Sequence, residues 1–324
     1  MITQGDVMRE RLFWILKNHG ISDRIAKAFL EVPREEFLTR HYPLSYVYED
    51  TVLVSYEDGE VFSTSSQPSL MAMFMEWVDL DEGMRVLEIG GGTGYNAAVM
   101  SRVVGKKGLV VTVEYFEEVC RIARENMRRL GIENVVVVCG DGYYGVSDFA
   151  PYDVIFVTVG VDEVPEHWFC QLKDGGRVIV PINMKISARQ PAFLFVKNGS
   201  HLEGGYKLET RFIKAGGNLG NLLERNRRLL RDFPFQKAIR VPRLQVFVEL
   251  VDLLTRRLAE MNGIFYYAGP EGTVEFLNGE MRIYGRAPEI ESLLSQWEEC
   301  GYRSFEHLML HIGYNAVSYI SCTI

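Results

Sequence analysis

Between residues 85 and 181, five short apolar runs alternate with helix-patterned stretches around a glycine cluster, and that alternation admits few folds. The runs are Arg85–Ile89, Leu109–Glu114, Asn134–Cys139, Tyr152–Val159 and Gly176–Pro181. Tyr95–Val103 and Glu117–Leu130 carry helical spacing between them. The β-branched residues are continuous, without the polar–apolar alternation of a half-exposed strand. Strands of this kind are buried on both faces, which calls for a parallel sheet with helices on each side. The chain is therefore expected to be an α/β protein with a doubly wound, mostly parallel sheet. Phe193–Val196 and Tyr206–Ile213, separated by Lys197-Asn198-Gly199-Ser200, read as a closing antiparallel hairpin.

The flanks are read from the same periodicities. Within residues 6–40, Leu12, Phe13, Leu16 and then Ile25, Phe29 recur at three- and four-residue steps and predict helices. Ser22-Asp23 is the expected N-cap of the second, and Pro33 follows its end. Residues 42–66 break into loops or short strands, and Gln67–Val78 is again helical. Gly216-Gly217-Asn218 marks a change of composition. The expected division is one domain over 1–215, including the N-terminal helices, and a smaller α+β domain of unassigned role over 216–324. In the second, residues 221–231, 246–261 and 288–300 read as helices, and 263–283 as short strands turning at Asn278-Gly279.

Composition narrows the function classes. At 324 residues and 47% hydrophobic, the chain has material for a sizeable core, which argues against disorder. A net charge of −8 argues against binding long nucleic acid through its phosphates. No apolar run approaches the ~20 residues of a membrane helix, and the N-terminus carries no secretory pattern. A soluble, cytoplasmic protein is expected, with no nucleic acid or membrane partner; the oligomeric state is left open. The five cysteines, Cys120, Cys139, Cys170, Cys300 and Cys322, are scattered and odd in number, so they are expected to be reduced thiols. His307 and His311 could share a helix face. No Glu follows His307 as a zinc-protease helix requires, so no metal is expected. Arg128-Arg129, Arg227-Arg228 and Arg256-Arg257 read as solvated helix faces.

The glycines fall at Gly90, Gly92 and Gly94, and Tyr95 stands where a dinucleotide fingerprint needs its third glycine. Backbone without Cβ atoms lets a ligand approach closely. Glu88, just before the loop, suits a ligand with cationic groups better than a pyrophosphate. S-adenosylmethionine, with its ammonium and sulfonium, is such a ligand. Glu114 ends the second run, 26 residues on (114 − 88), where doubly wound folds place an acid on ribose hydroxyls. Asp141-Gly142, after the third run, could hold the adenine edge, and Thr158 borders the same crevice. Each alone is more often a solvated strand end, and the loop alone could be a structural turn. Together, in strand order, they favour a nucleoside cofactor.

At these residues the chain resembles the protein-L-isoaspartate O-methyltransferases, over about residues 24–215. The glycine motif of that family appears as Val86–Ala98, its third-strand motif as Gly140-Asp141-Gly142-Tyr143, and its later strands as Pro151–Thr158 and Gln171–Pro181. Thr64–Ala72 is similar to the family's Thr-Ile-Ser-Gln-Pro segment, and Val32–Phe37 to its N-terminal helical signature. The resemblance implies a fold of the S-adenosylmethionine-dependent methyltransferase type. It also implies Ser66 as the active-site residue, Asn96 among the cofactor contacts, and Thr64, Ser65, Gln67 and Pro181 on the substrate side. S-adenosylhomocysteine would be the product, and isoaspartyl-containing proteins and peptides the partners, repaired through a succinimide. Residues 216 onward resemble the extra C-terminal domain of a longer bacterial variant. Residues 51–62 depart from the family's Pro-rich, Gly-Gln stretch, in a segment that should border the substrate.

The reaction suits this inventory. A carboxylate is already ionised at neutral pH, so methyl transfer to it needs no general base. It needs alignment, exclusion of water, and neutral donors that orient the oxygens without a strong cation quenching them. Hydroxyls at Ser63, Thr64, Ser65 and Ser66 fit that role; on the residues alone a solvated turn or a helix N-cap before Pro68 is the plainer reading of Ser66, and the resemblance makes it a substrate ligand. A tailoring methyltransferase acting on aspartate of one peptide or on a small acid is the first alternative. A non-catalytic S-adenosylmethionine-binding protein is the second.

Overall fold

The apolar runs become parallel strands; residues 86–89, 110–114 and 154–157 are buried throughout, while 135–139, at the sheet edge, alternates buried with part-exposed residues. In the computed structural model, which describes residues 3–314 and 316–322, they follow an N-terminal helical part. That part comprises α1 (Gln4–Asn18), α2 (Asp23–Glu31) and the short α3 (Leu44–Val47). The Thr3 hydroxyl and the Asp6 carboxylate cap α1 reciprocally. Ser22 holds the N-cap position of α2 without a side-chain cap bond; its backbone N–H donates to Glu76 instead. An antiparallel hairpin of β1 (Leu53–Asp58) and β2 (Val61–Ser65) leads into α4 (Pro68–Trp77).

The sheet follows, in chain order: β3 (Arg85–Ile89), α5 (Tyr95–Val104), β4 (Leu109–Glu114), α6 (Glu117–Arg129), β5 (Val135–Cys139), β6 (Tyr152–Val157), α7 (Glu166–Gln171) and β7 (Leu172–Pro181). Its strands lie in the order β7-β6-β3-β4-β5, each neighbouring pair parallel. Val86, Leu87, Val110, Val111, Ile155 and Phe156 are fully buried in it. The winding reverses between β3 and β6. Crevices at the carboxyl ends of strands flanking such a reversal are where this architecture binds ligands.

Two compact units divide the chain. One holds the residues up to Val159 with Cys170–Val180; the other holds Gly160–Phe169 with the residues from Pro181 on. In the second unit β8 (Pro191–Asn198) and β9 (His201–Glu209) form the hairpin expected from the Asn198-Gly199 signal. The second strand begins earlier than its sequence reading, pairing from His201 opposite Asn198, and ends earlier because Thr210 and Phe212 bond Gln190 instead. Next come α8 (Leu222–Arg227), β10 (Phe235–Arg240), α9 (Leu244–Thr255), β11 (Leu258–Met261), β12 (Ile264–Ala268), β13 (Gly272–Leu277), β14 (Glu280–Gly285), α10 (Pro288–Glu299), β15 (Leu308–Gly313) and β16 (Tyr319–Cys322). Strands β10 to β14 form one antiparallel sheet, and β15 joins β9 and β16. The helix read over 246–261 stops at Thr255, where Arg256 turns left-handed (φ 55°) and the chain re-enters as a strand. Asn278 and Gly279, both at positive φ, make the expected turn.

Two expectations are corrected. Cys120 is bonded to Cys139, joining α6 to β5, and Cys300 to Cys322, joining the end of α10 to β16; Cys170 is free and exposed. Separations of 19 and 22 residues concealed pairs that the fold brings to Cα distances of 5.6 and 5.4 Å. His311 lies on β15 and His307 in a 3₁₀ turn before it, so they share no helix face. Among the described residues, no helix is long and apolar enough to cross a membrane.

Candidate cofactor and acceptor site

The loop from Gly90 to Gly94 takes its shape from positive φ angles: 95° at Gly90, 52° at Gly92 and 97° at Gly94. Close packing adds a second requirement. A Cβ on Gly90 would lie 2.6 Å from Val159 Cγ1, and one on Gly94 would lie 2.5 Å from Met127 Cε. The glycines at 90 and 94 thus admit the protein's own side chains, a different reason from ligand approach. Thr158 reinforces the turn, its hydroxyl lying 3.0 Å from the Ile89 carbonyl and 2.7 Å from that of Gly90.

The acids sit deeper than their place in sequence suggested. Glu88 is fully buried, accepting from Asn96 Nδ2 (2.7 Å) and Thr112 Oγ1 (2.6 Å). Burial pushes its carboxyl up to about 7, against those two hydrogen bonds, with the nearby Glu114 adding to the rise. Asn96 is thereby fixed, and among the described residues its Oδ1 is a buried acceptor with no partner. Glu114 accepts from the backbone N–H of Gly92 (2.8 Å) and of Phe116 (3.0 Å). Burial raises its pKa, and these backbone donors oppose the rise. Asp141 caps the short 3₁₀ turn that contains Gly142, accepting from the Tyr143 N–H (3.0 Å).

The hydroxyl segment is sorted by strand geometry. Alternation along β2 turns Ser63 and Ser65 inward, where Ser63 Oγ meets Ser55 Oγ (3.1 Å) and Ser65 Oγ accepts from Arg34 Nε (3.0 Å). Gln67 occupies the N-cap of α4, with Pro68 in the first turn, so Ser66 is not the cap. Gln67 is itself held by Asp50, to which its Nε2 donates at 2.8 Å. A cavity is lined by Thr64, Ser65, Ser66 and Met71 on one side and by Gly90, Gly91, Thr93, Tyr95, Asn96 and Thr158 on the other. The structure thus brings Thr64, Ser65, Ser66, Gly90, Asn96 and Thr158 together. Glu88, Gly92, Gly94, Glu114, Asp141, Gly142 and Gln67 lie outside the cavity lining, and Pro181 belongs to the second compact unit.

Sequence reasoning passed over Met71, Gly91, Thr93 and Tyr95 as wall residues. For Tyr95 a signal existed: a large aromatic in the place of a fingerprint glycine. Its buried ring packs edge-on against Phe29 and Phe37, and burial raises its phenol pKa.

Comparison with known proteins identifies the family. Residues 7–220 match the family model described as protein-L-isoaspartate(D-aspartate) O-methyltransferase. Residues 221–324 match that of the protein-L-isoaspartyl O-methyltransferase C-terminal domain. A protein-L-isoaspartate O-methyltransferase of Thermotoga maritima is 77% identical over 98% of this chain and 100% of its own length. One from Archaeoglobus fulgidus is 44% identical over 50% of this chain and 73% of its own. A solved protein-L-isoaspartate O-methyltransferase structure covers 98% of the chain at 76% identity, all of its own chain being matched, with a TM-score of 0.96. A Plasmodium falciparum structure in complex with S-adenosyl-L-homocysteine shares the fold at 23% identity and a TM-score of 0.55, over 65% of this chain and 99% of its own.

Proposed function

The chain belongs to the protein-L-isoaspartate (D-aspartate) O-methyltransferase family, and from that premise we propose how its own residues divide the work. The enzyme transfers a methyl group to the free carboxylate of L-isoaspartyl residues in damaged proteins and peptides, opening the route back through a succinimide. Bound S-adenosylmethionine supplies the methyl on a sulfonium, leaving as S-adenosylhomocysteine. On the cofactor side, Asn96 Oδ1 is a buried acceptor without a partner among the described residues, oriented by Glu88, and it suits an ammonium donor. Glu88 therefore acts through Asn96. Glu114 keeps acceptor capacity beyond its backbone bonds and takes the ribose hydroxyls; Asp141-Gly142 takes the adenine edge.

On the acceptor side, Ser66 and Thr64 orient the carboxylate with neutral donors, while Ser63 is spent on Ser55. No residue need remove a proton. The observation that carries this reading is one cavity walled by the hydroxyl segment and the glycine loop together. Residues 1–215 are proposed as the methyltransferase domain and 216–324 as an appended one, supported by the junction of the two family matches at 220/221. A cytoplasmic enzyme without nucleic acid or membrane partners fits the net charge of −8. The test is transfer from labelled S-adenosylmethionine to matched isoaspartyl and aspartyl peptides. Label should enter the isoaspartyl peptide alone. Equal labelling of both would replace repair by a tailoring reaction on ordinary aspartate.

A further inference from the structure

Arg34 takes no part in the roles given so far, yet its side chain is fully buried beside the acceptor segment. Its guanidinium donates from Nε to Ser65 Oγ (3.0 Å) and from Nη1 to the carbonyls of Val47 (3.0 Å) and Glu49 (3.3 Å). Nη2 donates to the carbonyls of Thr51 (2.9 Å), Ser65 (3.1 Å) and Ser66 (3.1 Å). Among the described residues it makes no ion pair; the Tyr95 ring lies 5.7 Å from its central carbon. Burial works against the charge, which the Asp50 carboxylate favours through space without pairing to it, and apolar side chains fill such a volume more cheaply. What an apolar filler cannot do is fix five backbone carbonyls at once. A planar guanidinium can, its four Nη N–H groups sharing the five carbonyls while Nε–H takes the Ser65 hydroxyl, and a lysine ammonium with three donors cannot.

The consequence falls on the reaction. Two of those carbonyls, on Ser65 and Ser66, belong to the wall that faces the glycine loop. The other three belong to residues 47–51, on the approach to β1. Every N–H of the guanidinium points at a protein acceptor, so the group braces the wall without offering a donor to the bound carboxylate. That agrees with a nucleophile whose charge must not be quenched.

We propose that Arg34 is a positioning residue for methyl transfer, holding the Ser65–Ser66 backbone at the distance from the cofactor side that the accepting carboxylate requires. The inference rests on reading residues 64–66 as the acceptor wall. Misplacement of a reacting group by about 1 Å costs on the order of a hundredfold in rate. Arg34→Lys keeps charge and length and loses the fork. It should lower kcat on an isoaspartyl peptide roughly ten- to a hundredfold, with the S-adenosylmethionine Kd within about twofold of wild type. Arg34→Ala should be more impaired and regain part of its rate with millimolar guanidinium, which methylammonium should not restore. Wild-type kcat and KM in Arg34→Lys would overturn the inference. So would loss of cofactor binding or of the folded state in that variant, since Arg34 would then serve the fold as a whole. Ser66→Ala in the same series separates the two readings. If Ser66→Ala is impaired and Arg34→Lys is not, Arg34 alone is misread. If Ser66→Ala is fully active and Arg34→Lys is impaired, the braced backbone, and not the serine hydroxyl, is what Arg34 positions.

Discussion

Glu88 shows how a residue singled out in sequence can owe its place to something other than ligand contact. Its folded carboxyl titrates at about 7, against an ordinary value of 4.5. Between those values the native state holds a proton that the unfolded chain has released, so stability falls as pH rises through this window and levels off above it. Relative to pH 4, the loss by pH 8 is on the order of 3 kcal/mol, one pKa unit being about 1.4 kcal/mol. Glu88→Gln preserves the shape and should flatten this component in denaturant unfolding followed from pH 4 to 8. An unchanged slope would assign the titration elsewhere. Glu114→Ala removes acceptors from the Gly92 and Phe116 N–H groups and, on the proposed reading, from the ribose. Bonds to a charged group run about 1.5–3 kcal/mol each, so cofactor affinity should fall at least tenfold by calorimetry. At this scale the sequence was partly legible. Glycines and acids near strand ends are conspicuous because few residues tolerate those positions. Arg34 was not legible as a brace, because its acceptors are carbonyls, which every residue supplies.

Elements were legible where one physical demand dominated. The strands β3, β4 and β6 follow from nearly unbroken burial, β5 and the first half of β7 are part-exposed, and the turn at Asn278-Gly279 follows from its left-handed residues. β15 was missed because Leu308, Leu310 and Ile312 alternate over a run too short to separate strand from helix. The disulfides were missed because pairing depends on which elements adjoin, which spacing alone does not report. Their presence has a measurable consequence. Unfolded without reductant, the protein should show one reactive thiol, from Cys170, and five after reduction. Replacing Cys120 and Cys139 by Ala frees a loop of about 20 residues in the unfolded chain, which on the chain-entropy account costs about 3 kcal/mol. Denaturant midpoints would register it. Five reactive thiols before reduction would return both pairs to the reduced state expected from their scatter.

For the molecule as a whole, the question is what the residues beyond 215 contribute. Every residue lining the candidate site lies between Thr64 and Thr158, within the first compact unit. The second unit, however, draws on both sides of residue 215. Lys185 is buried 3.6 Å from Asp162 and 3.5 Å from Asp252, and burial pushes the Asp252 carboxyl up to about 6 against the pull of that lysine. Arg225 pairs with Glu163, and the buried Tyr314 hydroxyl donates to the Val164 carbonyl (2.8 Å). A chain cut at 215 keeps Asp162, Glu163, Val164 and Lys185 and loses the partners supplied by Arg225, Asp252 and Tyr314. Removing one member of a buried polar set typically costs 3–5 kcal/mol, relieved here by the water that enters. The fragment 1–215 should therefore bind S-adenosylmethionine with near full-length affinity in calorimetry while unfolding at a clearly lower denaturant concentration. Equal stability of the two would make those buried pairs irrelevant to the fold. A fragment that neither folds nor binds would place the residues beyond 215 in the methyltransferase core and remove the proposed boundary.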